Sequence, residues 1–420
     1  MASIPESRSL CVALSGGLDS VFLLHAVAGW FAGRADVQVG ALHINHGLQA
    51  AADDMEALCR RLCADLGVEL TVARVAVDTG RDSLENTARE ARYGAFARHL
   101  AAGQILLQAH HANDQAETVL FRLVRGSGVR GLAGIPAART LGAASVFRPL
   151  LPIARAELES WALAWGLDWF DDPTNSDTRI DRNYLRHRVL APLLERWPGA
   201  LATLARSARQ SAEADRLAAR LAALQRDTVE DGQGRLSAPE LVRMALCERK
   251  NLLRWWLIDR GFEPPAASRL EQGLQDLLQA GEDRVPALVG TGYRVLRYQG
   301  RLYCVADRPT PPLEPLPWHT AEPLVWAGGR LSVSGADPGL RLTVTARRGG
   351  ERLRPVASGG SRPLKKWLQE QGVPPWERER IPLLWKDGEL VAVAGLWVSP
   401  SLRDASESAS WRIVWDGDCR

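Results

Sequence analysis

The chain has 420 residues, of which 46% are hydrophobic and 24% charged, with a formal net charge of +3; at roughly 150 residues per domain this is material for two or three cored domains. So small a charge excludes nucleic-acid binding through overall basicity and leaves that task to local patches. Six cysteines without a Cys-x-x-Cys pair argue against a disulfide framework, and a short polar start with no apolar run of about 18 residues argues against a signal peptide or membrane span. The expectation is a soluble, cytoplasmic protein whose oligomeric state is open, a homodimer included.

Residues 10–14 form a short apolar run, followed by a glycine-rich turn and helical spacing over 20–31. The strand pattern returns at 37–43, 70–77 and 105–109, and the helical one at 55–66, 84–100 and 115–124. Strands apolar throughout, alternating with helices, predict an α/β fold with a doubly wound, mainly parallel, Rossmann-like sheet. Ligands of such sheets bind beyond the carboxyl ends of the strands. From 154 to 224, Ala, Leu and Arg recur at helical spacing. Residues 225–305 combine a Trp-rich helix at 251–260 with a strand-like tail at 293–305. The proline-rich stretch 308–317 reads as a semi-rigid linker, and a small α+β module follows it.

Ser15-Gly16-Gly17-Leu18-Asp19-Ser20 follows the first strand and opens the first helix. Two glycines let backbone N–H groups close on an anion, and the helix N-terminus adds partial positive charge, which makes a phosphate cradle. Both serine hydroxyls can donate, and Asp19 can hold Mg2+ on the phosphates. A Walker loop needs a lysine after its glycines, and the first lysine here is Lys250.

Beyond the strand at 105–109 stands His110-His111-Ala112-Asn113-Asp114-Gln115-Ala116-Glu117-Thr118. Asp114 and Glu117 share a helix face. They read either as a magnesium or base group (Asp114) with a substrate-ammonium group (Glu117), or as a capping box without chemistry. A zinc site on His110, His111 and Asp114 is disfavoured, because adjacent histidines aim apart. Arg125-Gly126-Ser127-Gly128 reads equally as a helix stop and as a substrate loop. Asp171-Asp172-Pro173-Thr174-Asn175 precedes a helical run with Arg182, Asn183, Arg186, His187 and Arg188, a face for phosphates or simply for solvent.

Further motifs are Leu42-His43-Ile44-Asn45-His46-Gly47-Leu48, Ala88-Arg89-Glu90-Ala91-Arg92-Tyr93, Arg348-Gly349-Gly350-Glu351-Arg352, Leu364-Lys365-Lys366-Trp367-Leu368 and Val373-Pro374-Pro375-Trp376. Together, in this order and over nearly the whole chain, the motifs resemble the tRNA(Ile)-lysidine synthetase family of N-type ATP pyrophosphatases. Asn45 and Asn113 depart from the family, which often has histidine and aspartate there.

The resemblance implies a ligase that uses ATP and Mg2+ to adenylate the wobble cytidine of a CAU-anticodon isoleucine tRNA and then attaches L-lysine. It implies catalytic roles for Asp19, Asp114, Glu117 and Arg182, ATP binding by Ser15, Gly16, Gly17, Leu18, Asp19 and Ser20, and magnesium on Asp19 and Asp114. It implies tRNA contacts from Arg125, Arg186, Arg188, Arg348, Arg352, Lys365 and Lys366. The corresponding domains are a catalytic 1–215, a mainly helical substrate-binding 216–307, a linker at 308–322 and a tRNA-binding 323–420. Alternatives are a tRNA thiolase on the same loop and a non-catalytic RNA-binding module. In the family an elongator methionine tRNA carries the same anticodon triplet, so selection needs contacts elsewhere. Residues 341–386 carry 11 Lys/Arg against 4 Asp/Glu, a local excess suited to that task.

Overall fold

The computed structural model describes residues 4–5, 7–45, 47, 52–75, 84–171, 177–281, 286–334, 340–355, 360–402 and 412–416. His46, Leu48, the end of the strand expected at 70–77, and the Asp172–Asn175 stretch lie outside the described residues, as do the side chains of Ala88 and Arg89. Two compact units divide the chain, Met1–Leu217 and Ala218–Arg420.

The first unit follows the expected alternation: β1 (Ser9–Ala13), α1 (Leu18–Phe31), β2 (Gln38–Asn45), α2 (Ala52–Asp65), β3 (Glu69–Arg74), α3 (Leu84–His99), β4 (Ile105–Leu107) and α4 (Ala112–Val124). A short helix α5 (Val129–Leu132) and a hairpin of β5 (Ala138–Leu141) and β6 (Ala144–Phe147) complete the sheet, ordered β3-β2-β1-β4-β6-β5. All neighbours are parallel except β5 on β6. The hairpin has no counterpart in the expected elements; each arm is four residues long, too short for alternation to register as a strand.

Chain direction across the sheet reverses between β1 and β4, so their carboxyl ends flank the crevice where such folds bind ligands. Leu10, Val12, Leu24, Val27 and Leu107 fill the core beneath. Phe22 of α1 stacks on Trp161 and Trp165 at 5.8 and 5.0 Å, which ties α1 to the helix α6 (Arg155–Ala164). The helical expectation for 154–224 resolves into α6, α7 (Asp181–Tyr184), a π-helical turn at Leu185–Leu190, α8 (Ala191–Arg196) and the 30-residue α9 (Ala200–Val229).

The second unit takes in the end of α9 and then helices Ala238–Arg243, Leu246–Ile258 and Ala267–Gln279 beside a four-stranded antiparallel sheet. The region expected as mainly helical is therefore mixed, its core built on Trp256, Leu257, Tyr293 and Leu302. A five-stranded sheet begins at the edge strand Leu316–His319, inside the stretch expected as a linker. An edge strand tolerates Pro317 because its missing N–H faces no partner strand. Arg380 Nη2 donates to Pro309 O at 3.0 Å and Arg348 Nη2 to Leu313 O at 2.8 Å, so the preceding prolines are also held rather than free. Helix Leu364–Glu370 buries Leu364, Trp367 and Leu368, leaves Lys365 and Lys366 exposed, and stops before Gly372 at φ +72°.

Candidate active site

The phosphate loop is locked on itself. Ser20 Oγ donates to Gly17 O at 3.0 Å and accepts from Ser15 N at 3.1 Å, and the two hydroxyls lie 3.0 Å apart. Gly16 has φ +90°, a left-handed conformation that a side chain would strain, and its carbonyl accepts from Phe170 N at 2.9 Å. Gly17 caps α1 without a side-chain hydrogen bond; Ser20 N donates to Gly17 O at 3.1 Å, which leaves the first-turn N–H groups of Leu18 and Asp19 for a ligand. Leu18 contributes only backbone here, because its side chain is core. Ser15, Gly17, Asp19 and Ser20 line a cavity of about 460 Å³ together with His43, Phe96, Gln108, His110, Asp114, Arg182 and Arg186.

At the start of α4 the capping box exists, but three residues earlier than the sequence pattern placed it. His111 N donates to Asp114 Oδ2 at 3.0 Å and Asp114 N donates to His111 Nδ1 at 3.3 Å. An amide N–H only donates, so Nδ1 is an acceptor and the ring carries its proton on Nε2. That Nε2 lies 3.5 Å from both Asp19 Oδ2 and Asp114 Oδ2, which brings the phosphate-loop carboxylate and the α4 carboxylate to one point. Burial pushes the Asp114 carboxyl upward, but His111 and Arg182 beside it prevail and hold it below the usual carboxylate range.

Glu117, with a side chain 1% exposed, lies behind Asp114. Arg182 Nε donates to its Oε2 at 2.9 Å, Arg186 Nε to its Oε1 at 2.6 Å, and Arg182 Nη2 reaches Asp114 Oδ1 at 2.7 Å. Both oxygens of Glu117 thus hold guanidinium groups, and it is absent from the cavity lining. In this geometry Glu117 anchors the two arginines. Arg186, expected on tRNA phosphates, is in this cluster, while Arg188 is exposed. Arg125 ends α4, lies over the Phe121 ring and pairs with Asp181 at 3.5 Å.

The two departures each have a structural use. Asn45 donates to Glu56 Oε2 at 3.0 Å and accepts from Gly47 N at 3.0 Å. Hydrogen bonds from Asn45 and Arg60 hold the Glu56 carboxyl down at about 2. Asn113 Oδ1 accepts from Arg155 N at 3.0 Å, away from Asp19.

Asp19 Oδ1 is buried with no hydrogen-bond partner among the described residues. An ionised oxygen buried in that state is costly unless a cation completes it. The donor set fits Mg2+, which takes one or two carboxylates and leaves its remaining positions to phosphate oxygens and water. The two adjacent histidines turn to different partners, His110 Nδ1 accepting from Arg148 Nε at 3.3 Å, so they do not converge on an ion.

In the second unit, Glu351 Oε1 accepts from the amides of Arg348 and Gly349 at 2.5 and 2.7 Å. Arg352 donates to Ser361 Oγ and O at 2.9 and 2.7 Å. Both arginines are exposed and have internal partners, whereas Lys365 and Lys366 make no ion pair among the described residues. Sequence reasoning missed Gln108 and Arg148. The available signal was a polar residue directly continuing a buried strand, as in Leu106-Leu107-Gln108 and Val146-Phe147-Arg148.

A PP-loop domain family model matches residues 2–193, a TilS substrate binding domain model residues 236–303, and a TilS substrate C-terminal domain model residues 342–415. A tRNA(Ile)-lysidine synthase from Alkalilimnicola ehrlichii is 43% identical over 410 residues, covering 94% of this chain and 91% of its own. One from Pseudomonas aeruginosa is 42% identical over 422 residues, with 98% and 94% covered. One from Coxiella burnetii is 35% identical over 433 residues, with 98% and 94% covered.

Proposed function

We propose that this chain, which belongs to the tRNA(Ile)-lysidine synthase family, joins L-lysine to the 2-carbon of the wobble cytidine in a CAU-anticodon isoleucine tRNA. The observation that carries this reading is the convergence of the phosphate loop and the Asp114–Arg182–Arg186 cluster on one cavity.

Two steps follow from the chemistry. The cytosine 2-oxygen attacks the α-phosphorus of ATP, a P–O bond forms, and pyrophosphate leaves with the electron pair. The loop amides and the α1 N-terminus face the charge that develops on the phosphate oxygens. Asp19, with Asp114 as second carboxylate, would hold Mg2+, which when bound neutralises that charge. The lysine amine, once deprotonated, then attacks the 2-carbon, and AMP departs with the oxygen. An ammonium has no lone pair, so a carboxylate must attract it and take its proton. Asp114 lines the cavity and its carboxyl is held below the usual range, so it can attract the ammonium and pass its proton on to solvent water, while Glu117 fixes Arg182 and Arg186 from behind.

A sulfur-transfer reading of the same loop finds no support in Cys59 and Cys63. Cys59 and Cys63 are buried and pushed up to about 12 and about 11, far from a reactive thiolate. The family's basic C-terminal module, with Lys365 and Lys366 exposed, is the natural source of tRNA contacts outside the anticodon.

The test is nucleoside mass analysis of a CAU-anticodon isoleucine tRNA after incubation with ATP, magnesium and lysine. One cytidine should gain the mass of a lysine residue. An unmodified cytidine, with ATP and tRNA intact, refutes the assignment.

A further inference from the structure

Gln108 closes β4 at the floor of the cavity, 6% exposed. The two ends of its amide differ chemically, and Arg148 decides which faces where. A guanidinium carries only donors, and Arg148 Nη2 lies 2.8 Å from Gln108 Oε1, so that position must be the oxygen. The Tyr93 hydroxyl donates to the same oxygen at 3.3 Å. The amide nitrogen is thereby turned from both, and no described residue takes up its two N–H bonds.

Arg148 is itself buried and fixed, with Nη1 donating to Pro136 O at 2.7 Å. Its Nε donates to His110 Nδ1 at 3.3 Å, so a neutral His110 ring carries its proton on Nε2. One buried guanidinium therefore sets the polarity of two groups that line the cavity. Beside them lie Ile44 and Phe96, an apolar wall fitted to the flat face of a base.

A donor at such a wall reads a base edge. Cytosine presents an unprotonated N3, an acceptor, next to the 2-carbon where the chemistry occurs. Uracil presents an N3–H there, which would meet a second donor head on. We infer that Gln108, oriented by Arg148, is a specificity-determining residue that donates to N3 of the wobble cytosine and rejects uridine. The inference rests on the function proposed above.

Gln108→Glu keeps the shape, leaves an oxygen for Arg148, and turns the cavity-facing donor into an acceptor. The affinity of full-length protein for the isoleucine tRNA is measured with cytidine or uridine at the wobble position, alongside KM for ATP. In the parent, cytidine should bind roughly tenfold more tightly than uridine, the worth of one neutral hydrogen bond. Gln108→Glu should lower that ratio by roughly tenfold or more, with KM for ATP unchanged. Gln108→Leu, which keeps the volume and removes both polarities, should bring the ratio towards one. An unchanged ratio in both variants overturns the inference. A raised KM for ATP with an unchanged ratio also overturns it, since the donor would then face adenine. Failure of the parent to form lysidine is a separate result, and it refutes the proposed function instead.

Discussion

Arg182 and Arg186 press against a buried carboxylate, whereas Lys365 and Lys366 stand out from their helix into solvent. Each region holds two cations, yet the first is neutralised within a few ångströms by Asp114 and Glu117 and projects little field. Its use lies in fixed direction, since guanidinium forks on Glu117 hold one geometry. The lysines are exposed and make no ion pair among the described residues, which suits attraction of a phosphate backbone. Removing a charge from the first region leaves its partner stranded in a dry place; removing one from the second leaves nothing stranded.

The comparison can be broken from either side. The largest effect is expected at Asp19, where Ala should slow pyrophosphate release by roughly a hundredfold to a thousandfold, the loss of one preorganised charge contact. Near-parental release with the fold intact would detach Asp19 from the phosphate chemistry. Glu117→Gln comes next, because it weakens the anchor of two arginines. With those arginines partly exposed, a loss of about 2 kcal/mol in thermal or denaturant unfolding is expected, and both reaction steps should slow. If only KM for lysine rose, at unchanged stability, Glu117 would bind ammonium after all.

Smaller effects belong to the exposed side. Lys365→Ala with Lys366→Ala should leave stability within about 0.5 kcal/mol and reduce the log-salt slope of tRNA binding by roughly 1 to 2 units. Equal slopes would remove the lysines from the tRNA footprint. Smallest is the acid limb of stability. The Glu56 carboxyl is held at about 2 against an ordinary 4.5, so its contribution is complete above 4.5 and fades as pH falls towards 2. Melting temperatures of the parent should therefore drop more steeply below about pH 4.5 than those of Glu56→Gln. Parallel curves would mean that Asn45, Arg60 and Arg74 do not stabilise the charge.

What was legible in the sequence was local. The Ser15–Ser20 loop is a strand, a turn and a helix within a few residues, and α/β alternation follows from apolar runs. The helix at Leu364–Glu370 was legible because its apolar face and its Gly372 stop are neighbours in the chain. The site's wiring was not. Arg182 and Arg186 meet Glu117 across 65 and 69 residues, and Arg148 meets Gln108 across 40. No spacing rule reports which distant cation fills which carboxylate, so the arginine partners of Glu117 could not be read from the sequence. The cap at α4 was misplaced because a histidine, rather than Ser, Thr, Asp or Asn, occupies the N-cap. The edge strand at Leu316–His319 was hidden by its proline.

The π-helical turn at Leu185–Leu190 has a consequence for how this segment tolerates change. Such a turn holds more residues than an α-helical one, and here it follows Arg182 and ends on the buried Leu190. Deleting one residue within it would use up that excess and leave ordinary α-helical spacing, so Arg182 and Leu190 could both keep their places. The same deletion in a regular α-helical turn would rotate one side by about 100° against the other. Exposed His187, Arg188 and Val189 can be exchanged with far less disturbance to that framework. At this point both the length of the chain and the identity of those exposed side chains have more latitude than the buried residues that flank them.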